Sequence, residues 1–256
     1  MTTYECTTIF IDIRNFTSQL NEKFDSNGFF DLINKTYLCG IDTASKIAGN
    51  DNYYINSTGD GYLIVVFGDD HYVAGFLISL TLHKKLSQIF KNSSDTVLAD
   101  GDYFFGIGIE SGVVKKVLAQ IGGTKIETYL GNVINIAARL EALTKEHARA
   151  PIIYGPEINE LLVLKLIGKS YKELMEAAKN AETAEKAEKL HKEMNEINTT
   201  LLSSYLFEHR IKGVTQHMQT FRVSPTLFLS SNDALQKFIM LLPEHFQKRI
   251  ASISMN

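Results

Sequence analysis

The stretch Ile9–Ser18, IFIDIRNFTS, sets an aspartate inside a run of large β-branched and aromatic residues. Such a run reads as a buried strand. A carboxylate carried into that environment is costly unless it is paired or holds a cation. Asp12 is therefore either a strand-end cap or half of a larger device, and the assignment of the fold turns on which.

Asp60 is the candidate second half. It lies in STGDGY, Ser57–Tyr62, between two short apolar runs, Asn52–Ser57 and Gly61–Phe67, that read as a hairpin. Taken alone, TGDG is ordinary turn chemistry. Taken with Asp12, it puts one carboxylate at the end of a strand and another at the start of a second. Neighbouring strands lie ~5 Å apart, and two carboxylates at that range repel unless a cation joins them. Hard divalent ions such as Mg²⁺ and Mn²⁺ prefer oxygen ligands and leave room for phosphate oxygens.

A third element is GNVINIAARLEAL, Gly131–Leu143, which follows a strand and opens a helix. Asn135 and Arg139 are one turn apart on one helical face. The small neighbours Ala137 and Ala138 allow a polar ligand to come close, although a solvated helix face would read the same way.

Composition bounds the rest. The chain has 256 residues, 45% of them hydrophobic and 21% charged, the balance of an ordinary globular protein. A formal charge of −3 lacks the basic footprint of a nucleic-acid binder. Cys6 and Cys39 have no metal-like spacing and make no disulfide framework, which points to a reducing, cytoplasmic setting. No stretch approaches the roughly 20 apolar residues that span a bilayer, and the N-terminal MTTYECTTIF has no basic leader pattern.

Further elements follow from periodicity. Phe29–Ala48 reads as a helix with Phe30, Ile33, Tyr37, Ile41, Ala44 and Ile47 as its apolar positions. Ala74–Ile89 and Asn132–Leu143 are also helical, and Tyr103–Val114, Val117–Gln120 and Ile126–Tyr129 are strand-like. Pro151–Tyr154 is a short buried strand. Lys169–Ile197, rich in Ala, Glu and Lys, reads as one long helix or as a helical hairpin kinked near Asn180, its alanine stripe packing on another helix. Strands return at Ser204–Val214 and Gln219–Val223, and Asp233–Ile250 is a helical tail. Hairpins interrupting the strand–helix alternation argue for an α+β fold, a mixed sheet flanked by helices.

In this order IFIDIRNFT, STGDGYLIVVF, GIGIESGVV, YLGNVINIAARLEALT and RIKG…QTFRV resemble the catalytic domain of class III nucleotidyl cyclases, from about Thr7 to Val223 apart from Lys169–Ile197. The resemblance implies a ferredoxin-like, palm-type domain over residues 1–223, with a helical insertion at about 169–197 and a helical tail at 224–256. It implies two divalent cations, Mn²⁺ or Mg²⁺, on Asp12, Asp60 and the main-chain carbonyl of Ile13. It places the transition-state residues at Asn135 and Arg139, and a lysine for the β- and γ-phosphates at Lys212. A second lysine is frequent in that last loop, where this chain reads GVTQH. The substrate is a nucleoside triphosphate. The partner implied is a second copy in a head-to-tail homodimer, since the family builds its site from two subunits; no nucleic acid or membrane is involved.

Two positions depart from the adenylyl and guanylyl patterns. Where those enzymes carry Lys or Glu, three residues before the glycine of the GD motif, this chain has Asn56, and where they carry Asp or often Cys it has Thr128. Tyr54 shares a strand face with Asn56 and would narrow a base pocket. Tyr54, Asn56 and Thr128 thus point to a small base, as in the Pycsar antiphage pyrimidine cyclases, with UTP ahead of CTP and a separate effector answering the cyclic nucleotide. An adenylate or guanylate cyclase, and a catalytically inactive dimerisation module, are the alternatives; retention of Asp12, Asp60, Asn135, Arg139 and Lys212 speaks against the last.

Overall fold

The computed structural model describes residues 2–23, 25, 27–92, 104–121, 124–147, 150–210, 217–223 and 232–253. The chain divides into two compact units, Met1–Ile152 and Ile153–Asn256.

The first unit is built around β1 (Thr3–Ile13). It continues through α1 (Phe16–Lys23), α2 (Asn27–Ala48), the hairpin β2 (Tyr53–Ser57) and β3 (Gly61–Val66), α3 (His71–Lys91), the ribbon β4 (Phe105–Ile121) and β5 (Thr124–Leu130), and α4 (Asn132–Glu146). The strands run in the order β2-β3-β1-β4, with β5 paired to β4. Each of these pairings is antiparallel. β1 is covered on both faces, and so Cys6, Thr7, Thr8, Ile9, Ile11 and Ile13 are all buried without alternation. α3 and α4 both pack on it. α4 lies close because β4 carries Gly108, where a Cβ would run into the Ala137 carbonyl.

The buried side of α2 differs from the expected stripe. Phe29, Leu32, Thr36, Gly40 and Thr43 face inward together with Ile33, Ala44 and Ile47, whereas Phe30 and Ile41 are exposed. The helix is turned because the Tyr62 ring lies where a side chain at Gly40 would stand. A small residue on the inner face is invisible to a count of apolar ones.

In the second unit, β6 (Ile152–Tyr154) pairs with β8 (His217–Val223), which pairs with β7 (Ser203–Arg210). Between them lie α5 (Pro156–Ile167), α6 (Tyr171–Lys179) and α7 (Ala184–Thr200). The Lys169–Ile197 segment is thus a hairpin of two helices. The break has local causes: Asn180 ends α6, and the Thr183 hydroxyl accepts from Lys186 N at 3.2 Å to start α7. The helices pack on each other, and Asn198 donates to the Tyr171 hydroxyl at 3.0 Å. α5 was not expected; its signals are Pro156 in the first turn and the left-handed Gly168 after its end. The tail is two helices, α8 (Asn232–Leu241) and α9 (Glu244–Ser252), with Pro243 between them.

The first unit also contains a buried titratable group that sets a pH response. His83 on α3 is 2% exposed with its ring 5.7 Å from that of Phe105. Burial, aided by the charge of Lys91, pushes its pKa down to about 4. An unfolded histidine titrates near ~6.5, so the unfolded chain binds the proton first as pH falls. The stability contributed by neutral His83 is therefore full above that value and is lost as pH falls toward 4, on the order of 3 kcal/mol in all. Urea unfolding of wild type and His83→Gln between pH 7.5 and 4.5 checks this. The variant should lose less stability on acidification, and parallel curves would refute it.

Candidate active site

Asp12 occupies the last register position of the β1–β3 ladder, opposite Gly61, which puts it beside Asp60 in the hairpin turn. Ile13 N donates to the Asp60 carbonyl at 3.0 Å, so the two segments are stitched where the carboxylates emerge. The turn is braced from α2: the Tyr37 hydroxyl donates to the Gly59 carbonyl at 2.8 Å and lies 3.0 Å from Ser57 Oγ. Asp12 is 8% exposed and Asp60 half-buried. Burial and the neighbouring Asp60 raise the Asp12 pKa, while Lys145 acts against the rise.

Lys145, in the last turn of α4, places its Nζ 2.7 Å from Asp12 Oδ2. The same helix carries Glu141, 2% exposed, whose Oε1 accepts from Arg14 Nη1 at 2.7 Å. Arg14 also donates to Thr144 Oγ1. Burial and the charge of Asp12 push the Glu141 carboxyl up to about 7 against the pull of Arg14 and Lys145. Sequence reading leaves out Arg14, Glu141 and Lys145, and takes Tyr37 only for an apolar position of α2. Glu141 had a usable signal, since it falls on the inner face of α4 with Val133, Ala137, Leu140 and Thr144, and a carboxylate there needs a partner as Asp12 does.

Among the described residues no three His, Cys, Asp or Glu side chains are grouped to hold a metal. The donor set is two carboxylates and main-chain oxygens. It fits a hard divalent ion that takes its remaining ligands from water or phosphate. An ammonium already sitting on Asp12 shows that the position accepts a cation.

Asn135 and Arg139 are not brought to this cluster by their own chain. At ~100° per residue they centre on one side of α4, nearly opposite the buried positions Val133, Ala137, Leu140 and Thr144. Asn135 is exposed and Arg139 half-buried. The pair therefore faces away from the sheet that carries Asp12 and Asp60.

Tyr54 packs its ring 5.0 Å from that of Tyr129 and donates from its hydroxyl to the Glu127 carbonyl at 3.2 Å. It belongs to a cluster with Tyr4 and Phe67 packed around Val65, Val114 and Tyr129. Asn56 is exposed on the same side of β2. Thr128 lies between Glu127 and Tyr129, so strand alternation turns its side chain to the opposite face of β5. That face of the ribbon includes Val113, Ile126 and Leu130, all at least 48% exposed. Lys212 lies outside the described residues.

The sequence matches the adenylate and guanylate cyclase catalytic domain family over residues 1–149. No curated protein matches it significantly. Among solved structures, a bacterial light-regulated adenylyl cyclase superposes with a TM-score of 0.58 at 18% identity, covering 94% of this chain and 100% of the other. The adenylyl cyclase CyaB from P. aeruginosa gives 0.60 at 18% identity, over 87% of this chain and 94% of the other. The guanylate cyclase domain of RhGC from Catenaria anguillulae, in complex with GTP, gives 0.58 at 20% identity over 87% and 98%. These likenesses are in fold. No described helix is long and apolar enough to cross a membrane.

Proposed function

The chain belongs to the adenylate and guanylate cyclase catalytic domain family, and on that premise we propose that it cyclises a pyrimidine nucleoside triphosphate, UTP before CTP, to the 3′,5′-cyclic nucleotide and pyrophosphate. The observation that carries the catalytic reading is the pairing of Asp12 with Asp60 at a strand end, with a cation already drawn to Asp12. The proposed catalytic domain runs on to Val223, supported by solved cyclases that superpose on 87–94% of the chain.

Asp12, Asp60 and the Ile13 carbonyl would hold two divalent ions, which when bound would polarise the α-phosphate and favour ionisation of the 3′-hydroxyl. The protein's own side chains do the rest. Asn135 orients the ribose so that its 3′-oxygen meets the α-phosphate in line, which turns ring closure into positioning. Arg139 spreads its guanidinium over the non-bridging oxygens where charge builds. Lys212 is assigned the β- and γ-phosphates and so the departing pyrophosphate.

Because Asn135 and Arg139 face away from Asp12 in their own chain, the reading requires a second copy, arranged head to tail so that each site takes carboxylates from one subunit and the Asn/Arg pair from the other. The exposed apolar side chains of the β4–β5 ribbon, Val113, Ile126 and Leu130, are surface that such a partner would cover.

For the base, Asn56 and Thr128 carry neither the adenine nor the guanine pair; Asn56 shares the Tyr54 side and can hydrogen-bond in either polarity, whereas Thr128 is turned to the other face of β5 in the same chain. Tyr54, held at both ring and hydroxyl, is a wall that does not yield to a second ring. Overpacking and an unpaired polar group each cost ~1–3 kcal/mol, together about a hundredfold in rate. Incubating the protein with each of the four triphosphates and Mn²⁺, and identifying the cyclic product, tests this. UTP and CTP should be consumed about a hundredfold faster than ATP and GTP, and Tyr54→Ala should narrow the gap. Faster turnover of ATP or GTP would overturn the pyrimidine assignment and leave a purine cyclase. In the pyrimidine case the product is a signal for a separate effector in antiphage defence.

A further inference from the structure

Among the described residues Lys145 places its ammonium on Asp12, and its surroundings give it two places to be. In the first, its ammonium sits 2.7 Å from Asp12 Oδ2. In the second, Glu141 Oε2 lies 3.9 Å away, one helical turn back on the same face of α4. Glu141 is pinned by Arg14 through its other oxygen, so Oε2 stays available to the lysine when Arg14 is engaged. The Lys145 side chain is 52% exposed while that of Asp12 is 11% exposed. A long flexible stem over a fixed, buried carboxylate can swing away at little cost.

We propose that Lys145 is a displaceable occupant of the cation site: it neutralises Asp12 in the cation-free protein and moves to Glu141 and solvent when a divalent ion takes Asp12. This rests on the assignment of Asp12 to cations made above. Lys145 holds Asp12 through Oδ2, and a divalent ion on the same buried carboxylate would repel the ammonium, so binding of the ion and the Lys145–Asp12 pair oppose each other. The lysine thus keeps the strand end charge-balanced in the resting protein. It also sets a threshold of cation concentration below which the site stays closed.

The test is Mn²⁺ binding to the nucleotide-free full chain, read by electron paramagnetic resonance, for wild type, Lys145→Met and Asp12→Asn. Acylation of Lys145 by an amine-directed reagent, followed by peptide mass spectrometry, is measured in parallel. Lys145→Met should bind Mn²⁺ about fivefold to tenfold more tightly. In wild type, Mn²⁺ should speed acylation of Lys145, and Asp12→Asn should do so without metal. A simple gain in negative charge would tighten binding but leave the lysine's acylation rate unmoved by Mn²⁺, and that result overturns the proposal. So does Lys145→Met binding equally or more weakly while Asp12→Asn loses the ion; the cation role of Asp12 then stands without the occupant. If Asp12→Asn binds Mn²⁺ as wild type does, or if no protein binds it at millimolar concentration, the assignment of Asp12 falls and the inference with it.

Discussion

Asp12→Ala and Asp60→Ala are each expected to reduce cyclisation by more than about a thousandfold while leaving a folded protein. The size follows from the several kcal/mol of transition-state charge stabilisation that ions on these carboxylates are asked to supply. The folded outcome follows from the local electrostatics. Burial and Asp60 both disfavour the charged form of Asp12, so removing one carboxylate relieves repulsion at the strand end. The register that holds the turn is main-chain, with Ile13 N on the Asp60 carbonyl and the Tyr37 hydroxyl on that of Gly59, and it survives truncation of either aspartate. Lys145, half-exposed, can turn to solvent or to Glu141 when Asp12 is shortened. Turnover of all four triphosphates with saturating Mn²⁺, beside circular dichroism and thermal melts, gives the answer. Near-normal turnover by either variant would remove the carboxylates from the chemistry.

How much of this was legible in the sequence depends on what each residue has to satisfy. Asp12 stood out because a carboxylate in a run of isoleucines violates the local pattern, and the structure does place it at the end of a buried strand beside Asp60. The strands of the first unit were readable because each is a β-branched run bounded by glycine or a polar turn. The face of α2 was not, because Gly40 and Thr43 are inside and Phe30 and Ile41 outside. Close approach of the Tyr62 ring decides that, and no periodicity encodes it. The Arg14–Glu141 pair and the Lys145 contact escaped for a related reason. Each joins residues more than 120 positions apart, through the packing of α4 on β1. Sequence spacing predicts only partners on the same element. Tyr54 lies between the two cases. Its strand face was readable, but its engagement with Tyr129 and the Glu127 carbonyl depends on the long β4–β5 ribbon folding back beside β2.

The orientation of α4 yields the second large prediction. Asn135 and Arg139 point away from the sheet that carries Asp12 and Asp60, so Arg139→Ala should be inactive for a different reason from Asp12→Ala. Loss of a donor aimed at developing charge costs about a hundredfold to a thousandfold. In a head-to-tail pair the two defects then fall in separate subunits. A mixed dimer has one site with both lesions and one with neither, because that site takes Asp12 from the Arg139→Ala chain and Arg139 from the Asp12→Ala chain. Random re-pairing of equal amounts makes about half of the dimers mixed, each with one working site of its two. Activity should then recover to roughly a quarter of wild type. Native mass spectrometry on differently tagged chains establishes that subunits have exchanged. If they have and the mixture remains as dead as its components, each chain assembles its site alone. Arg139 would then have to reach its own Asp12, which the placement of its helix face opposes.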